Sequence, residues 1–264
     1  MTRYKAVQAC VGIIFLFFAW TCHAQSQDCE GGQAPVRESA LYKHEFKRIT
    51  RYCGTETPAG QLKDSLARLE GEANDGDDLA AASVSAGLSA CAGWKQRNDP
   101  LFQQRCAGIT DEDIAGQGKW LTMAAARGNR GAQYNYAMAG VNAIVPASAK
   151  GQPDPDEVKN YHQLAAGYLQ DLAEQCNVDA ITAIANMGLD ADGHFGSAPE
   201  LAYKYAAIRS QLDKKADSNN KKADSKKAEP NDPLMAKAQA KLPAAVNPAT
   251  LKKSATEFVQ DHCE

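Results

Sequence analysis

The sequence is poor in the residues that build β-sheets. Aromatic side chains make up only 7% of its 264 residues, and alanine is abundant while long runs of β-branched residues are missing. Since strands are enriched in β-branched and aromatic residues, this composition favours an all-α fold. A hydrophobic content of 44% is sufficient to fill a sizeable helical core.

Metal-binding and redox motifs are also missing. None of the six cysteines that follow residue 24 forms a C-x-x-C pair, and none has a histidine at zinc-ligand spacing. We therefore expect no metal centre, no redox-catalytic cysteine and no cofactor. Four histidines follow the N-terminal leader, each isolated in its own segment, and we expect surface or helix-capping roles for them: His44, His162, His194 and His262.

One apolar run stands out, and it is short. Residues 11–20 follow two basic residues and precede small residues at Cys22 and Ala24, which is typical of a secretory signal peptide over residues 1–24. Cleavage near Ala24 would place the protein in the periplasm or outside the cell. The alternative is a membrane anchor, but the run is shorter than the ~20 residues that a span requires. Trp20 disfavours a lipoprotein modified at Cys22.

The chain carries no excess of positive charge. Its net charge is −3, and loss of Arg3 and Lys5 with the leader makes it −5, so a nucleic acid is not an expected partner. Residues 213–232 are rich in lysine, but aspartates alternate with the lysine pairs and no aromatic residue is interleaved. This composition predicts a solvated linker or frayed helix and not a basic binding arm.

Six cysteines remain after the leader, an even number that in an exported protein predicts three disulfides. Six cysteines allow fifteen connectivities. We expect Cys29 to pair with Cys53, and Cys91 with Cys106 across a short loop that the bridge would stabilise by about 3 kcal/mol. By elimination Cys176 pairs with Cys263, which would attach the C-terminal helices of residues 233–264 to the main domain.

Catalytic motifs appear only as near misses. Residues 190–194 approach a calcium loop, but Phe195 replaces its glycine and Leu201 its glutamate. Residues 87–91 narrowly miss a nucleophile elbow and lie on a predicted helix. Ser218 begins an S-x-x-K sequence inside the linker, without a K-T-G partner motif. These patterns predict no enzyme.

The most informative stretch is residues 120–140, W-L-T-M-A-A-A-R-G-N-R-G-A-Q-Y-N-Y-A-M-A-G. It predicts two helices that pack through small residues, including Ala132 and Ala137. The first helix is expected to end at Gly128, and the second is expected to begin at Asn129. Its pattern A-x-x-G-[D/N]-x-x-A occurs three times in the chain. The position of the G in this pattern, where one helix ends before the next begins, is called the break; the breaks fall at residues 76, 128 and 176, spaced by 52 and 48 residues. Each break is expected to precede a small-residue helix that closes on glycine, at Gly87, Gly140 and Gly188. Three matches in register indicate stacked helical hairpins.

Further segments complete the predicted organisation. Helices are expected over residues 37–53 and 156–175, from Pro199 onward, and over residues 234–242 and 248–262. Loop-like inserts are expected at residues 92–110 and 145–156. The helix over residues 156–175 is expected to face inward through Tyr161, Leu164, Tyr168, Leu169 and Leu172.

The stretches W-L-T-M-A-A-A-R-G-N-R-G-A-Q-Y-N-Y-A, residues 120–137, and A-I-T-A-I-A-N-M-G-L-D-A-D-G-H-F-G-S-A-P-E-L-A-Y-K-Y-A, residues 180–206, resemble Sel-1-like repeats, relatives of the tetratricopeptide repeat. The resemblance covers residues 62–212, with a longer repeat spacing than the family's usual forty or so residues and Cys176 in place of a glycine. It implies a right-handed α-solenoid over residues 25–212 that acts as a binding or scaffolding protein.

This resemblance also implies where a partner would bind. If one helix of each hairpin lines the concave side, the expected contact residues are Gln133, Asn135, Thr182 and Asn186. The acidic net charge favours a basic protein, and one specific hypothesis is an inhibitor or immunity protein that blocks a secreted toxin. The alternatives are a cell-envelope hydrolase, because some cysteine-bridged members of the family are β-lactamase-like, and a structural or assembly factor without a discrete ligand.

Overall fold

The computed structural model describes residues 62–145, 151–219 and 232–263. Helices dominate these ranges and extended structure is almost absent from them, which confirms the all-α prediction. In chain order the helices there are α1 (Leu62–Asn74), α2 (Asp78–Gln96), α3 (Pro100–Arg105), α4 (Asp111–Ala115), α5 (Gln117–Ala126), α6 (Arg130–Met138), α7 (Val141–Ile144), α8 (Pro155–Glu174), α9 (Val178–Met187), α10 (Pro199–Asn219), α11 (Pro233–Ala240) and α12 (Pro248–Cys263).

Several predictions fall outside these ranges. The signal peptide of residues 1–24, the helix of residues 37–53 and the Cys29–Cys53 bridge all lie outside the described residues. So does most of the predicted linker, but its first part belongs to α10, which continues to Asn219. None of the helices in the described ranges combines the length and apolarity that a membrane span requires.

The three predicted breaks have the same backbone geometry. Gly76, Gly128 and Cys176 have positive φ angles of 113°, 88° and 58°. In each case the N–H of the break residue donates to the carbonyl three residues earlier, at 3.2, 3.0 and 2.8 Å. The next N–H donates to the carbonyl five residues earlier, at 3.0, 3.1 and 3.0 Å. This pair of bonds is the Schellman motif that terminates helices, so the predicted break positions are confirmed.

Alanines flank each break and are almost fully buried. The residue three before the break and the residue four after it are at most 2% exposed in all three cases: Ala73 and Ala80, Ala125 and Ala132, Ala173 and Ala180. A methyl group at these positions allows the backbones of packed helices to approach closely. The recurring sequence pattern therefore corresponds to a recurring packing arrangement.

The chain divides into two compact units between Asn129 and Arg130, inside the segment predicted as a central hairpin. Both helices of that segment form, and Gly128 ends the first as expected. Each helix takes its main core contacts within its own unit, α5 from α2 and α6 from α8. The pairing of these helices with more distant segments was not part of the prediction.

The first unit consists, in the described residues, of α1 to α5. The antiparallel α1 and α2 enclose Leu66, Leu69, Val84 and Leu88, and α5 packs on α2 with Trp120 buried. Two side chains connect the breaks: Arg127 donates to the carbonyl of Ala73, and Asn129 Nδ2 donates to Asp78 Oδ2 at 2.9 Å. The breaks at residues 76 and 128 are thus hydrogen-bonded to each other.

Two predictions for the first unit are wrong in detail. Helix α2 does not end at Gly87 but continues to Gln96. A helical glycine costs only about 1 kcal/mol relative to alanine, and the following Leu88 and Cys91 gain more by being buried, at 1% exposure each. The insert of residues 92–110 is not a plain loop, because Asp99 caps the short helix α3 within it. The predicted Cys91–Cys106 disulfide is present, with Cα atoms 5.7 Å apart.

The second unit contains α6 to α12. Helix α8 packs on α6 and on α9, α10 packs on α9, and α10 in turn supports α11 and α12. The predicted Cys176–Cys263 bridge is present, with a Cα separation of 5.2 Å, and fixes the end of α12 at the α8–α9 break. A small cluster of Leu189, Ala202, Tyr203 and Ala238 holds α11 against α10.

One expected core residue of α8 is exposed. Leu164 retains 50% of its accessible surface, whereas Tyr161, Leu169 and Leu172 are buried as predicted. With 3.6 residues per turn, Leu164 lies at the edge of the stripe that Tyr161 and Leu172 define, and Ala165 takes the inward position.

Candidate functional site

The four residues expected to contact a partner all lie in the second unit. Gln133 and Asn135 are on α6, where Gln133 is half-buried and Asn135 exposed; Thr182 and Asn186 are on α9, where Thr182 is half-buried and Asn186 exposed. Residues two apart on a helix lie about 200° from each other around its axis, so Gln133 and Asn135 face different sides of α6. Their predicted role in binding remains a prediction.

Helix α9 carries a polar stripe opposite its apolar face. Asn177 caps the helix by accepting a hydrogen bond from the N–H of Ala180 at 2.9 Å. Ile181 and Ile184 are fully buried, whereas Asp179, Thr182 and Asn186 recur at intervals of three and four residues. This spacing places the three polar side chains on one side of α9, and we call them the α9 polar stripe.

Hydrogen bonds hold the middle of this stripe in place. Thr182 Oγ1 donates to the carbonyl of Val178 and accepts from Arg209 Nη1, both at 2.7 Å. Arg209 Nε donates to Asp213 Oδ2 at 2.9 Å, and Asn186 Nδ2 donates to the carbonyl of Thr182 at 3.0 Å. Thr182 is therefore an ordered part of a hydrogen-bond network.

Charged and polar groups from three helices meet at this network. Burial raises the pKa of Asp179, and the nearby Arg209 guanidinium opposes that shift. Burial also raises the pKa of Tyr134 on α6, and the carboxylate of Asp179 raises it further. We call Tyr134, Asp179, Thr182, Arg209 and Asp213 the polar cluster; its two carboxylates and one guanidinium give it a formal charge of −1.

The cluster offers a preformed set of hydrogen-bond groups. Gln133 and Asn135 flank Tyr134 in sequence, and Asn186 lies one turn beyond Thr182. Fixed donors and acceptors on rigid helices bind a partner with a smaller entropy cost than groups that must first be ordered. The excess of carboxylates favours cationic or amide groups on that partner.

Sequence reasoning missed Tyr134, Asp179 and Arg209. Asp179 could have been found, because it precedes Thr182 and Asn186 at helical spacing. Arg209 pairs with Asp213 four residues on, which is a readable helix pattern, but its bond to Thr182 spans 27 residues and has no local signal.

A second cluster brings together two histidines that were expected to act alone. His162 on α8 and His194 in the loop before α10 have their Nδ1 atoms 2.9 Å apart, and His194 Nε2 contacts the carbonyl of Ala137. Tyr161 packs edge-on against both rings. The expectation of isolated surface or capping roles is wrong for this pair. It holds for His262, whose Nδ1 lies 3.0 Å from the carbonyl of Glu174 at the end of α8.

The loop that carries His194 is compact. The N–H of Ala198 donates to the carbonyl of Gly188 at 2.9 Å and closes it. A Cβ atom at Gly193 would lie 2.7 Å from the carbonyl of Met187, so the loop requires glycine there. In the part of the chain that the structure describes, no three histidine, cysteine or acidic side chains are grouped so that they could hold a metal ion.

Comparison of the chain with protein-family models, with curated proteins and with solved structures finds no match.

Proposed function

We propose that the protein is an exported, protein-binding helical-repeat protein of the Sel-1-like type, with a right-handed solenoid arrangement. The observation that carries this proposal is the threefold recurrence of one helix break, with the same two backbone hydrogen bonds and the same buried alanines. Repeats of this kind create extended surfaces from successive helices, and such surfaces serve protein recognition.

The proposed binding surface is the α9 polar stripe together with the exposed side chains of α6 beside Tyr134. Asn135 and Asn186 are exposed, and Thr182 is held by Arg209 in a defined orientation. The partner is proposed to be a basic protein, because the cluster carries one carboxylate in excess and the chain is acidic overall. An inhibitor or immunity protein for a secreted toxin is the specific form that this proposal takes.

Export is proposed from the leader and the cysteines together. The two described disulfides are compatible with an oxidising compartment, where such bridges form and persist. A signal peptide over residues 1–24 would deliver the chain to the bacterial periplasm or beyond it. N-terminal sequencing of the exported material should begin near Gln25, and retention of the leader would contradict this part of the proposal.

The binding proposal is tested by capture from envelope extract. We expect Asn186→Lys to reduce capture of the partner at least about tenfold, since it places a positive charge on the surface that would meet a basic protein. Gln104→Lys on the exposed side of α3 is the matched control, with the same change of charge outside the proposed surface, and should leave capture unchanged.

Equal loss of capture in both variants would indicate a general charge effect and contradict the proposed surface. Capture by a variant that lacks residues 220–231 should equal that of the full chain. If that deletion alone abolishes capture, the lysine-rich segment binds the partner and the α9 polar stripe does not. Hydrolysis of a β-lactam or peptidoglycan substrate, with no captured protein, would instead support the enzyme alternative.

A further inference from the structure

The bonds of His194 define which ring nitrogens carry protons. The Ala137 carbonyl is only an acceptor, so His194 Nε2 must carry a hydrogen and donate to it. In a neutral His194 the Nδ1 atom is then an acceptor. His162 Nδ1, 2.9 Å away, must therefore carry the hydrogen that joins the two rings.

This chain of hydrogen bonds attaches one loop to two helices. Residues 188–198 connect α9 to α10, and His194 extends from this loop to Ala137 at the end of α6 and to His162 on α8. The start of the loop is held separately, because Lys241 Nζ donates to the carbonyl of Leu189 at 2.9 Å. Among the described side chains of the loop, His194 is the one that hydrogen-bonds to α6 and α8.

The pair tolerates one added proton but not two. If His162 becomes an imidazolium, its Nδ1 still donates to the neutral Nδ1 of His194. If both rings are charged, both Nδ1 atoms carry hydrogens and face each other at hydrogen-bond distance, with like charges. The two rings must then separate, and the loop loses its contact with α8.

The groups in direct contact with the two rings carry no charge that would offset this repulsion. From α8 the pair meets Tyr161, whose pKa burial raises to about 12, so it stays neutral. From α6 it meets the Ala137 carbonyl and, behind Tyr161, the ring of Tyr136. The charged residues of the loop itself are Asp190 and Asp192, and Lys241 from the end of α11 adds a positive charge at Leu189. Burial lowers the pKa of His194, the Ala137 hydrogen bond partly opposes this shift, and His162 lowers the pKa further.

We propose that the His162–His194 pair is an acid-sensitive latch, which holds the loop of residues 188–198 on α8 at neutral pH and releases it from α8 when both rings are protonated. The loop directly follows the α9 polar stripe and directly precedes α10, which carries Arg209. Release would therefore loosen the connection between α9 and α10, two of the three helices that form the polar cluster.

Hydrogen exchange of the purified protein tests this inference without a partner. The relevant amides are those of Gly193, Gly196 and Ala198, which are hydrogen-bonded inside the loop. After correction for intrinsic exchange rates, we expect their protection to fall about tenfold between about pH 7.5 and about pH 5. Protection in α12 should change less than twofold and serves as the internal reference.

Two substitutions separate the latch from general acid destabilisation. In His162→Asn the amide nitrogen replaces Nδ1 as donor, and its oxygen can accept from a charged His194, so the contact persists at both pH values and the loop should lose its acid response. His262→Asn removes a different histidine, which lies on α12 against the end of α8, and should leave the acid response of the loop unchanged. An acid response in His162→Asn equal to that of the unsubstituted protein would overturn the proposal.

Proton NMR of the unsubstituted protein gives a second test, independent of any variant. The ring signals of His194 should change at a pH below the ordinary histidine value of 6.5, because burial lowers the pKa of His194 and the neighbouring His162 ring lowers it further. A His194 transition at that ordinary value would show that the ring is not held against His162 and would overturn the latch.

Discussion

The breaks at Gly128 and Cys176 have the same backbone and different chemistry. Both use a positive φ angle and the same pair of hydrogen bonds, but glycine adopts this conformation freely, whereas a residue with a Cβ atom adopts it at a cost of about 1 kcal/mol. Cys176 adopts the positive φ angle despite this cost, and its side chain is bonded to Cys263. The comparison shows that the helix break is set by hydrogen bonding and can accommodate a second role, here the attachment of α12.

Of the changes that test this comparison, removal of the Cys176–Cys263 bridge should lower the free energy of unfolding most. The bridge closes a segment of 87 residues, for which the chain-entropy model gives about 4–5 kcal/mol of stabilisation, against about 3 kcal/mol for the 15 residues of Cys91–Cys106. We expect Cys176→Ser with Cys263→Ser to lower the free energy of unfolding more than the Cys91→Ser, Cys106→Ser pair does. Urea denaturation followed by circular dichroism measures both, and the reverse order would contradict the comparison.

The alanines that flank the two breaks should respond alike. Ala132 and Ala180 each lie four residues after a break and are 2% and 0% exposed. Leucine at either position should destabilise by roughly 1–3 kcal/mol, because the extra methylenes overpack a closed contact. Ala137, 1% exposed on α6, should behave in the same way. Lys252→Leu, on an exposed position of α12, is the control and should shift the thermal midpoint very little.

Gly128→Ala should isolate the conformational cost at the glycine break. A Cβ atom there would meet nothing within 4 Å, so steric contact adds no penalty and the φ angle of 88° decides the outcome. We expect a loss of about 1–2 kcal/mol in the free energy of unfolding. Gly71→Ala, at a helical glycine on α1 with equally open surroundings, should instead be neutral or slightly stabilising.

The smallest expected change in stability comes from placing glycine at residue 176, the break that carries a cysteine. In a chain without the long bridge, Cys176→Gly with Cys263→Ser should be more stable than Cys176→Ser with Cys263→Ser by about 1 kcal/mol, because glycine relaxes the positive φ angle. Equal midpoints in urea would show that the backbone at residue 176 changes when the bridge is absent.

The parts of the fold that local chemistry determines could be predicted from the sequence. A break needs a residue that can adopt positive φ and a capping side chain after it, and glycine supplies the first at residues 76 and 128. The break at Cys176 was located by the repeated sequence pattern. The Cys91–Cys106 disulfide followed from the spacing of its cysteines, and the Cys176–Cys263 disulfide followed by elimination. The all-α class followed from composition.

The features that escaped prediction depend on contacts between distant residues. The sequence around Gly87 does not show that α2 continues beyond this glycine because Leu88 and Cys91 are buried. The spacing of Leu164 matches the apolar stripe of α8, although the side chain is exposed. His162 and His194 meet only because the loop before α10 folds back on α8. The bond between Arg209 and Thr182 likewise depends on how α10 packs on α9, which hydrophobic periodicity does not specify.

The hydrogen bonds from Arg127 to Ala73 and from Asn129 to Asp78 bear on how this chain can be engineered. Because the turn at residue 128 supplies donors to the turn at residue 76, any change of length in either turn would misalign both. Epitope tags or inserted domains belong elsewhere, for example at Ala244 and Ala245, which are exposed between α11 and α12. Shuffling of such units between proteins would accordingly have to transfer both turns together, as one exchangeable block.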